Sequence, residues 1–225
     1  MKQVGLAPNH LLRYNELSNV INELNPNNVL ELGAGYGFAA LSYLSAQIIL
    51  IDINKKELKF AKKMLKSRNN VELIVGDIFN LPLTSFKFNV VVCSEVIEHL
   101  SDDEKAIKIC YNLVEKDGWF ICTVPNVLRL YNRFYRVLRR GRVAYMSKDH
   151  KREYTLRQII NILERNGFKV KEIRGIWLSL LILETILLDN YRLPIKAIEK
   201  VVSFQARFCQ VLPELCNYIL LLCRK

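Results

Sequence analysis

The stretch VLELGAGYG, residues 29–37, constrains the fold of this chain more than any other part of its sequence. A short apolar run leads directly into Gly33, Gly35 and Gly37, and Glu31 stands two residues ahead of the first glycine. Glycine loses more backbone freedom on folding than any other residue, so three at alternate positions need a reason. The spacing predicts a tight turn after a buried strand, at a place where a ligand approaches the backbone.

Apolar runs and amphipathic segments alternate along most of the remaining chain. The predicted strands are 28–32, 47–53, 71–78, the start of 88–100, 119–126, 168–176 and 218–225. The predicted helices are 10–24, 37–46, 55–68, 102–118 and 155–166, the last beginning with a capping box of Thr155 and Gln158. Unbroken apolar strands separated by helices are typical of parallel sheets. The pattern predicts an α/β fold with a doubly wound, Rossmann-like sheet.

Acidic residues follow the predicted strands, at the sheet edge where doubly wound folds bind ligands. Asp52 ends the second strand and can accept hydrogen bonds from ribose hydroxyls. Asp77 follows the third strand and can accept one from an adenine amino group, with Ile53 and Ile78 on either face of the ring. Glu95 follows the fourth strand. With Glu31 on the first strand, one acid lies near or beyond the end of each of four strands, which indicates a nucleoside-containing ligand.

Three kinds of glycine loop compete for this place. A phosphate-binding P-loop needs Lys-Ser or Lys-Thr after its last glycine, and none follows Gly37. A dinucleotide loop, G-x-G-x-x-G, needs a glycine where this chain has Phe38. The third is the loop that binds S-adenosylmethionine (SAM), whose sulfonium is cationic and has no pyrophosphate. A carboxylate such as Glu31 suits that ligand, so the pattern favours SAM.

Taken together, these motifs resemble the class I SAM-dependent methyltransferases, and within them the group that contains the ubiquinone and menaquinone biosynthesis methyltransferases. The matching stretches are 29–37, 50–63, 75–83, 90–100 and 113–126, with a weaker match at 153–170. The resemblance implies a seven-stranded sheet whose last strand is antiparallel. It also implies that Glu31 and the turn of Gly33, Ala34 and Gly35 lie under the methionine part of SAM. Asp52 would contact the ribose, and Asp77 and Ile78 the adenine. Ser94 and Glu95 would line the pocket near the methyl group.

Methyl transfer from a sulfonium is an in-line displacement, in which the protein supplies alignment. An oxygen acceptor of high pKa also needs a general base. His99, beyond the fourth strand, and His150 are the candidates, although each can equally make a structural hydrogen bond, and an acidic acceptor needs no base. The six cysteines form no C-x-x-C pair, so we expect buried reduced thiols and no metal site.

Residues 126–152 carry nine basic residues and one acid, which is most of the chain's formal charge of +11. Arg129, Arg133, Arg136 and Arg140 recur at helical spacing, and Leu130, Tyr131, Phe134, Val137 and Leu138 fill the other face. A basic amphipathic helix over 127–142 is typical of a protein that touches an anionic membrane surface, although a lid with a solvated face fits too. The apolar run at 177–188 is too short to span a bilayer. With the helix predicted at 195–212, it either packs on the core or forms an apolar tunnel or membrane contact.

We therefore predict a single domain over 1–225, with a basic lid at 126–152 and an apolar helical cover at 177–216. The N-terminus shows no signal peptide, so we expect a cytoplasmic protein that is peripheral at the membrane. The predicted activity is methyl transfer from SAM to a small-molecule, quinone-precursor or lipid acceptor, at oxygen. A nucleic-acid methyltransferase is the alternative, disfavoured because residues 94–97 lack the Asn-Pro-Pro-Tyr signature of base methylases. A non-catalytic SAM-binding protein is the third class.

Overall fold

In a computed structural model, the described residues are 8–42, 46–81, 83, 85–138, 145, 147–178 and 207–225. The strands are β1 (Asn28–Leu32), β2 (Gln47–Asp52), β3 (Val71–Val75), β4 (Phe88–Ser94), β5 (Val114–Pro125), β6 (Lys169–Ile176) and β7 (Tyr218–Arg224). The α-helices are α1 (Pro8–Leu24), α2 (Lys55–Met64), α3 (Asp103–Leu113), α4 (Leu130–Leu138) and α5 (Leu156–Arg165). Short 3₁₀ helices occupy Ala39–Ser42, Ile78–Asn80, Ile97–His99 and Pro213–Leu215.

The strands form one seven-stranded sheet in the order β3-β2-β1-β4-β5-β7-β6. The pairs from β3 to β5 are parallel, whereas β7 runs antiparallel between β5 and β6. The doubly wound sheet with an antiparallel last strand is therefore confirmed. The order changes direction beside β1 and β4, which places the carboxyl ends of these strands at the topological switch point.

The sheet is covered on both faces. One apolar layer joins β4 and β5 to Ile107 of α3 and Leu163 of α5, and a second joins β1 and β2 to Leu17 of α1 and Ala61 of α2. Val91 in β4 is completely buried, as a parallel strand between two helical layers requires. Each such buried aliphatic side chain contributes about 1.5–3 kcal/mol to folding, so the core holds the strand ends in place.

Three predicted helices are wrong in extent, and the one predicted over 55–68 already ends at Met64. Within the segment predicted as a helix over 37–46, the structure has the 3₁₀ helix Ala39–Ser42, and residues 43–45 lie outside the described residues. The helix predicted over 102–118 ends at Leu113, because Val114 already pairs with Phe88 in the sheet. The β4–β5 register then shifts, Asp117 adopts a φ of 58°, and regular pairing resumes at Trp119. The predicted strand start at 119 is thus where the ladder becomes regular.

Other local predictions are confirmed. The Thr155 hydroxyl accepts a hydrogen bond from the Gln158 N–H at 3.2 Å, and the Gln158 side chain accepts one from the Thr155 N–H at 2.9 Å. All six cysteines are free and buried. Most of the cover predicted over 177–216, including 179–188 of the apolar run, falls on 179–206 and lies outside the described residues, whereas Trp177 and Leu178 are buried. Among the described helices, none is long and apolar enough to cross a membrane.

Candidate active site

The glycine turn follows β1 directly, and all three glycines lie in the left-handed region. Their φ angles are 70° at Gly33, 53° at Gly35 and 68° at Gly37, which residues with a Cβ atom rarely adopt. A Cβ atom at Gly33 would also overlap the side chain of Val96, and one at Gly37 would lie 3.1 Å from the Cβ of Ala61. The alternate glycines are therefore required by backbone conformation and by close packing against α2 and the loop after β4.

Backbone hydrogen bonds tie the turn to the end of β2. The Ile51 carbonyl accepts from the N–H groups of Gly33 and Ala34 at 2.8 and 3.1 Å. The Gly35 N–H donates to Asp52 Oδ2 at 2.7 Å, and Asp52 Oδ1 accepts from the Asn54 N–H at 2.7 Å. These turn donors are thus already used within the protein, contrary to a phosphate-binding loop, whose N–H groups point at the ligand. Asp52 fixes the shape of the turn.

A cleft of about 310 Å³ opens beside the turn. The predicted site residues that line it are Gly33, Gly35, Asp52, Ile53, Asp77, Ile78, Glu95 and His99. It is also lined by Leu32, Ile51, Glu57, Gly76, Val96 and Leu100, which the sequence did not single out. Of the described residues predicted for the site, Glu31, Ala34, Ser94 and His150 do not line it. The carboxyl ends of four strands therefore do converge on one cavity.

Glu31 is buried within β1, next to the turn. The residue is only 3% exposed, and its Oε2 atom has no hydrogen-bond partner among the residues that the structure describes. Burial raises the pKa of Glu31 to about 8, an effect that Arg13 opposes and Asp52 reinforces. The carboxyl is therefore largely neutral at pH 7 in this state. A positive charge placed close to it would favour its ionised form.

The far wall of the cleft combines apolar and acidic groups. Ile53 is 73% exposed while Ile78 is buried, so one apolar side chain projects freely and the other is fixed in the wall. Asp77 begins the 3₁₀ helix Ile78–Asn80, where its Oδ1 accepts from the Phe79 N–H at 3.0 Å. Asp77 therefore caps this short helix, and its carboxylate also borders the cleft.

Glu95 follows β4 and is held in an unusual conformation. Its φ of 55° is left-handed, which is strained for a residue that is not glycine. Glu95 Oε1 accepts from the Thr123 hydroxyl at 3.1 Å, and Oε2 lies 3.2 Å from the Arg13 guanidinium. Ser94 Oγ lies 2.8 Å from Thr123 Oγ1, in the same network. Burial raises the pKa of Glu95, and the Arg13 charge opposes this.

His99 and His150 lie together, although they are distant in sequence. Their ring centroids are 4.8 Å apart. His99 Nδ1 lies 3.2 Å from the Asp149 carbonyl, and His150 Nδ1 lies 2.9 Å from Glu153 Oε1. Glu98 is completely buried beside them, and within the described part of the chain neither of its carboxyl oxygens has a hydrogen-bond partner. Burial raises the pKa of Glu98 to about 9, with a further contribution from Glu95.

The structure corrects the predicted basic face. Arg129 is buried, donating to Glu153 Oε2 at 2.7 Å and to the Asn126 carbonyl at 3.1 Å, so it cannot face a membrane. The reason is Glu153, an acid just beyond the basic stretch that neutralises Arg129 inside the protein. On α4, Arg133, Phe134 and Val137 are exposed, the last two by 65% and 83%. The side chain of Arg136 and all of Arg140 lie outside the described residues.

Sequence reasoning missed the partners of the acidic residues. Arg13 comes from α1 and Glu153 from the segment before α5, and nothing in their local sequence marks them as neighbours of the cleft. Glu98 carried a usable signal, because it stands between the apolar pair Val96–Ile97 and His99, and a carboxylate in an apolar setting is rarely buried unless it has a partner.

Comparison with known proteins gives these residues a context. Residues 30–122 match the family described as "Methyltransferase domain". A ubiquinone biosynthesis O-methyltransferase of Nitrosomonas europaea is 29% identical over 150 residues, 65% of this chain and 58% of that protein. A demethylmenaquinone methyltransferase of Thermotoga maritima is 27% identical over 172 residues, 67% of this chain and 74% of that protein. The chain spans about half the length of most of the first curated relatives it matches.

The fold is also that of solved structures. The crystal structure of the N-methyltransferase NodS from Bradyrhizobium japonicum, in complex with S-adenosyl-L-homocysteine, is similar with a TM-score of 0.62. The match covers 99% of this chain and 90% of that chain at 16% sequence identity. At that identity, the likeness establishes the shared architecture.

Proposed function

We propose that this chain transfers a methyl group from SAM to an oxygen atom of a small-molecule, quinone-precursor or lipid acceptor. The proposal is supported by the match of residues 30–122 to the family described as "Methyltransferase domain" and by relatives that are named as methyltransferases. The names of the Nitrosomonas and Thermotoga relatives support a quinone-type acceptor. The whole of 1–225 acts in this proposal as one methyltransferase domain, in which 126–152 serves as a lid and 177–216 as an apolar cover.

The observation that carries the proposal is Glu31. Among the described residues its buried Oε2 has no hydrogen-bond partner, and burial raises the pKa of the carboxyl to about 8 although the Arg13 charge opposes the shift. When bound, SAM supplies an activated methyl group on a cationic sulfonium. A cation beside Glu31 stabilises the ionised carboxylate, whereas a pyrophosphate there would repel it. The charge of the site therefore fits SAM better than a dinucleotide.

The remaining cofactor contacts follow from the shape of the cleft. Gly33 and Gly35 of the turn border the cleft, and Asp52 lines it while accepting from the Gly35 N–H, so that Asp52 can also contact a ribose. In our proposal Asp77 and Ile78 hold the adenine from one side and Ile53 covers it from the other. Ala34 contributes backbone only.

The acceptor enters, in this proposal, on the side of Ser94, Glu95 and His99. Arg13 and Thr123 hold both carboxylate oxygens of Glu95, so this wall keeps a fixed position, which an in-line displacement requires. We propose His99 or His150 as the group that removes a proton from an oxygen acceptor. The test is turnover from pH 6 to pH 9, and full turnover in both His→Gln variants would contradict this role.

We also propose that the protein is cytoplasmic and touches an anionic membrane surface through α4. Arg133 is exposed there beside the exposed apolar side chains of Phe134 and Val137. Helices that bind at a membrane surface combine basic side chains, which attract anionic headgroups, with apolar side chains, which are buried among the lipids. Arg129 takes no part in this surface.

The proposed activity is tested by calorimetry and by product analysis. SAM should bind the purified chain more tightly than NAD, and Asp52→Ala should weaken SAM binding by about 1.5–3 kcal/mol because it removes charged hydrogen bonds. Asp52→Asn, which keeps one carbonyl acceptor, is the graded control. Incubation with labelled SAM and quinone precursors, lipid extracts or RNA then identifies the acceptor. Tighter binding of NAD, or label in RNA alone, would contradict the proposal.

A further inference from the structure

We propose that Cys209 and Cys216 form a thiol pair that a peroxide oxidises to a disulfide, which makes them a site of reversible covalent modification. Both cysteines are free and buried in this structure. From the sequence we expect six buried reduced thiols, and this pair is the exception. Neither residue lines the cleft, so the proposal goes beyond the proposed function and does not rest on it.

The two side chains meet close to the carboxyl end of the chain. Cys209 belongs to the helical residues 207–211, and Cys216 follows the 3₁₀ helix Pro213–Leu215 and precedes β7. Their thiols are hydrogen bonded to each other, with Cys216 as the donor. The chain between them therefore turns back far enough to bring the two sulfur atoms into contact, which is the first geometric requirement of a disulfide.

Packing against β6 holds the pair in this position. A Cβ atom at Gly175 would lie 2.6 Å from the Cys216 sulfur and 2.7 Å from the Cys209 carbonyl oxygen, so both cysteines pack on the bare backbone of this strand. The Asn126 side chain also donates to the Cys216 carbonyl at 2.9 Å. Because the two sulfur atoms are already held together, a bond between them needs little movement of the backbone.

Cys209 has the properties of the attacking thiol. The hydrogen bond from Cys216 lowers the pKa of Cys209, with a further contribution from the Leu178 N–H, although burial and the Glu16 charge oppose the shift. The same hydrogen bond raises the pKa of Cys216. Since the thiolate is the nucleophile, Cys209 reacts first and Cys216 completes the disulfide.

Cys209 lies directly beneath the surface. Arg207 and Gln210 are exposed and Val211 is 75% exposed, whereas Cys209, on the inner side of the same helical turn, is 2% exposed. Cys209 and Cys216 form a small apolar cluster with Leu178, separate from the two main layers of the core. A small neutral oxidant such as hydrogen peroxide is therefore the class of reagent that suits this site.

A second thiol pair provides the contrast. Cys93 of β4 and Cys110 of α3 are also hydrogen bonded to each other, but they lie in the main apolar layer between the sheet and α3. The hydrogen bond with Cys110, together with burial, raises the pKa of Cys93 well above its usual value. Contact between two thiols is thus not sufficient, and the lowered pKa of Cys209 distinguishes the proposed site.

The chemistry balances with the peroxide as oxidant. The Cys209 thiolate attacks one peroxide oxygen, the O–O bond breaks, and Cys209 becomes a sulfenic acid while the other oxygen leaves as water after taking up a proton. The Cys216 sulfur then bonds to the Cys209 sulfur, gives up its proton and displaces the sulfenic oxygen as a second water. The two thiols lose two electrons and two protons, and hydrogen peroxide is reduced to two waters.

Peptide mapping of the full chain tests the site. The folded protein is reduced, freed of reductant, treated with hydrogen peroxide, alkylated, and digested with trypsin and a glutamate-specific protease. Cleavage after Glu214 separates Cys209 from Cys216, so the two peptides stay together only through a disulfide. We expect the joined peptides, their release by dithiothreitol, and formation at least about tenfold faster than any disulfide of Cys93 with Cys110.

Single substitutions identify the partner of Cys209. The peptide with Cys216 also contains Cys223, which belongs to the main core layer, so Cys223→Ala is the matched control and should keep the joined peptides. Cys209→Ala and Cys216→Ala should each abolish them, with circular dichroism as the check on folding. Absence of the joined peptides in the wild type, their persistence in Cys216→Ala, or equally fast formation of a Cys93–Cys110 disulfide would overturn the proposal.

Discussion

On one side of the cleft, the glycine side, Gly33, Gly35 and Asp52 lie within a few positions of a strand end and are joined by backbone hydrogen bonds. On the other, the histidine side, Glu95 and Glu98 meet Arg13 from α1 and His150 from a segment far along the chain. The shape of the glycine side is set by its backbone conformation. The histidine side takes its shape from charged side chains that meet only after the chain has folded.

This difference has energetic consequences. A backbone turn is sensitive to any added Cβ atom and insensitive to pH, whereas a buried set of charges is sensitive to the loss of a single partner. Substitutions on the two sides should therefore destabilise the protein for different reasons. Glu31 is an exception, because it is a buried ionisable group on the glycine side, and its substitution is the strictest test of the comparison.

The largest effect is expected for Glu31→Gln, measured as the free energy of unfolding from pH 4.5 to pH 8.5. The folded pKa of about 8 lies above the unfolded value of 4.5. The wild type therefore loses stability as the pH rises through this window, while the glutamine variant does not. The difference should grow by about 1.4 kcal/mol per pH unit, to at most about 5 kcal/mol, and then level off.

The exposed Glu72→Gln on β3 is the control for that series, and its difference from wild type should not change with pH. A flat profile for Glu31→Gln as well would mean that the carboxyl is ionised in the folded protein at neutral pH. Glu31 would then contribute no pH dependence to stability in this window.

Arg13→Met should have the next largest effect, because it leaves Glu95 buried and unpaired on the histidine side. Breaking a buried ion pair by removing one partner costs about 3–5 kcal/mol. Urea unfolding at pH 7 measures this. The exposed pair of Arg165 and Glu104 provides the control, Arg165→Met, which should cost no more than about 1 kcal/mol. Equal losses in the two variants would show that the histidine side does not depend on buried charge.

Gly33→Ala should destabilise the protein by about 2–4 kcal/mol, through a left-handed φ and the overlap with Val96. Gly76→Ala, in the same cleft but with a Cβ position 3.3 Å from Leu81, should cost less than about 1 kcal/mol. The double variant with Val96→Ala should recover the packing part and keep the conformational part. A full recovery would show that packing alone requires this glycine.

The smallest effect concerns α4, outside the cleft. Arg133→Gln should reduce binding to anionic vesicles by about 1 kcal/mol at low salt, with little effect on neutral vesicles or at high salt. Vesicle sedimentation measures this, with the exposed Lys171→Gln of β6 as the control. Equal binding of wild type to neutral and anionic vesicles would contradict the membrane surface and favour a lid.

The comparison also explains what the sequence allowed us to predict. Gly33, Asp52 and Asp77 were found because each follows a recognisable apolar strand, and strand ends of a parallel sheet converge. The predicted end of α3 is wrong because the helical pattern continues past Leu113. In the folded chain Val114 pairs with Phe88 in the sheet, and this pairing ends the helix. Strand pairings of this kind join residues that are distant in sequence, so the local hydrophobic pattern does not reveal them.

The histidine side was predicted only in part, for the same reason. Glu95 and His99 follow β4 and could be assigned to the cleft, yet nothing in the sequence joins His150 to Glu153 and Arg129 as one cluster. A helical wheel places Arg129 on a basic face, and only the fold brings a buried acid to it. A net charge counted over 126–152 does not include Glu153, the acid just beyond the segment that neutralises Arg129.

The position of β7 bears on how the molecule is assembled during synthesis. Thr123 of β5 pairs with Leu220, and Ile173 of β6 pairs with Leu221, so one late segment joins two strands that never touch each other. While translation proceeds, β5 and then β6 exist with unpaired main-chain edges, which are prone to associate with other chains. The ribosome must release the segment Tyr218–Arg224 before either edge is protected, and a chain interrupted earlier is exposed to aggregation at both.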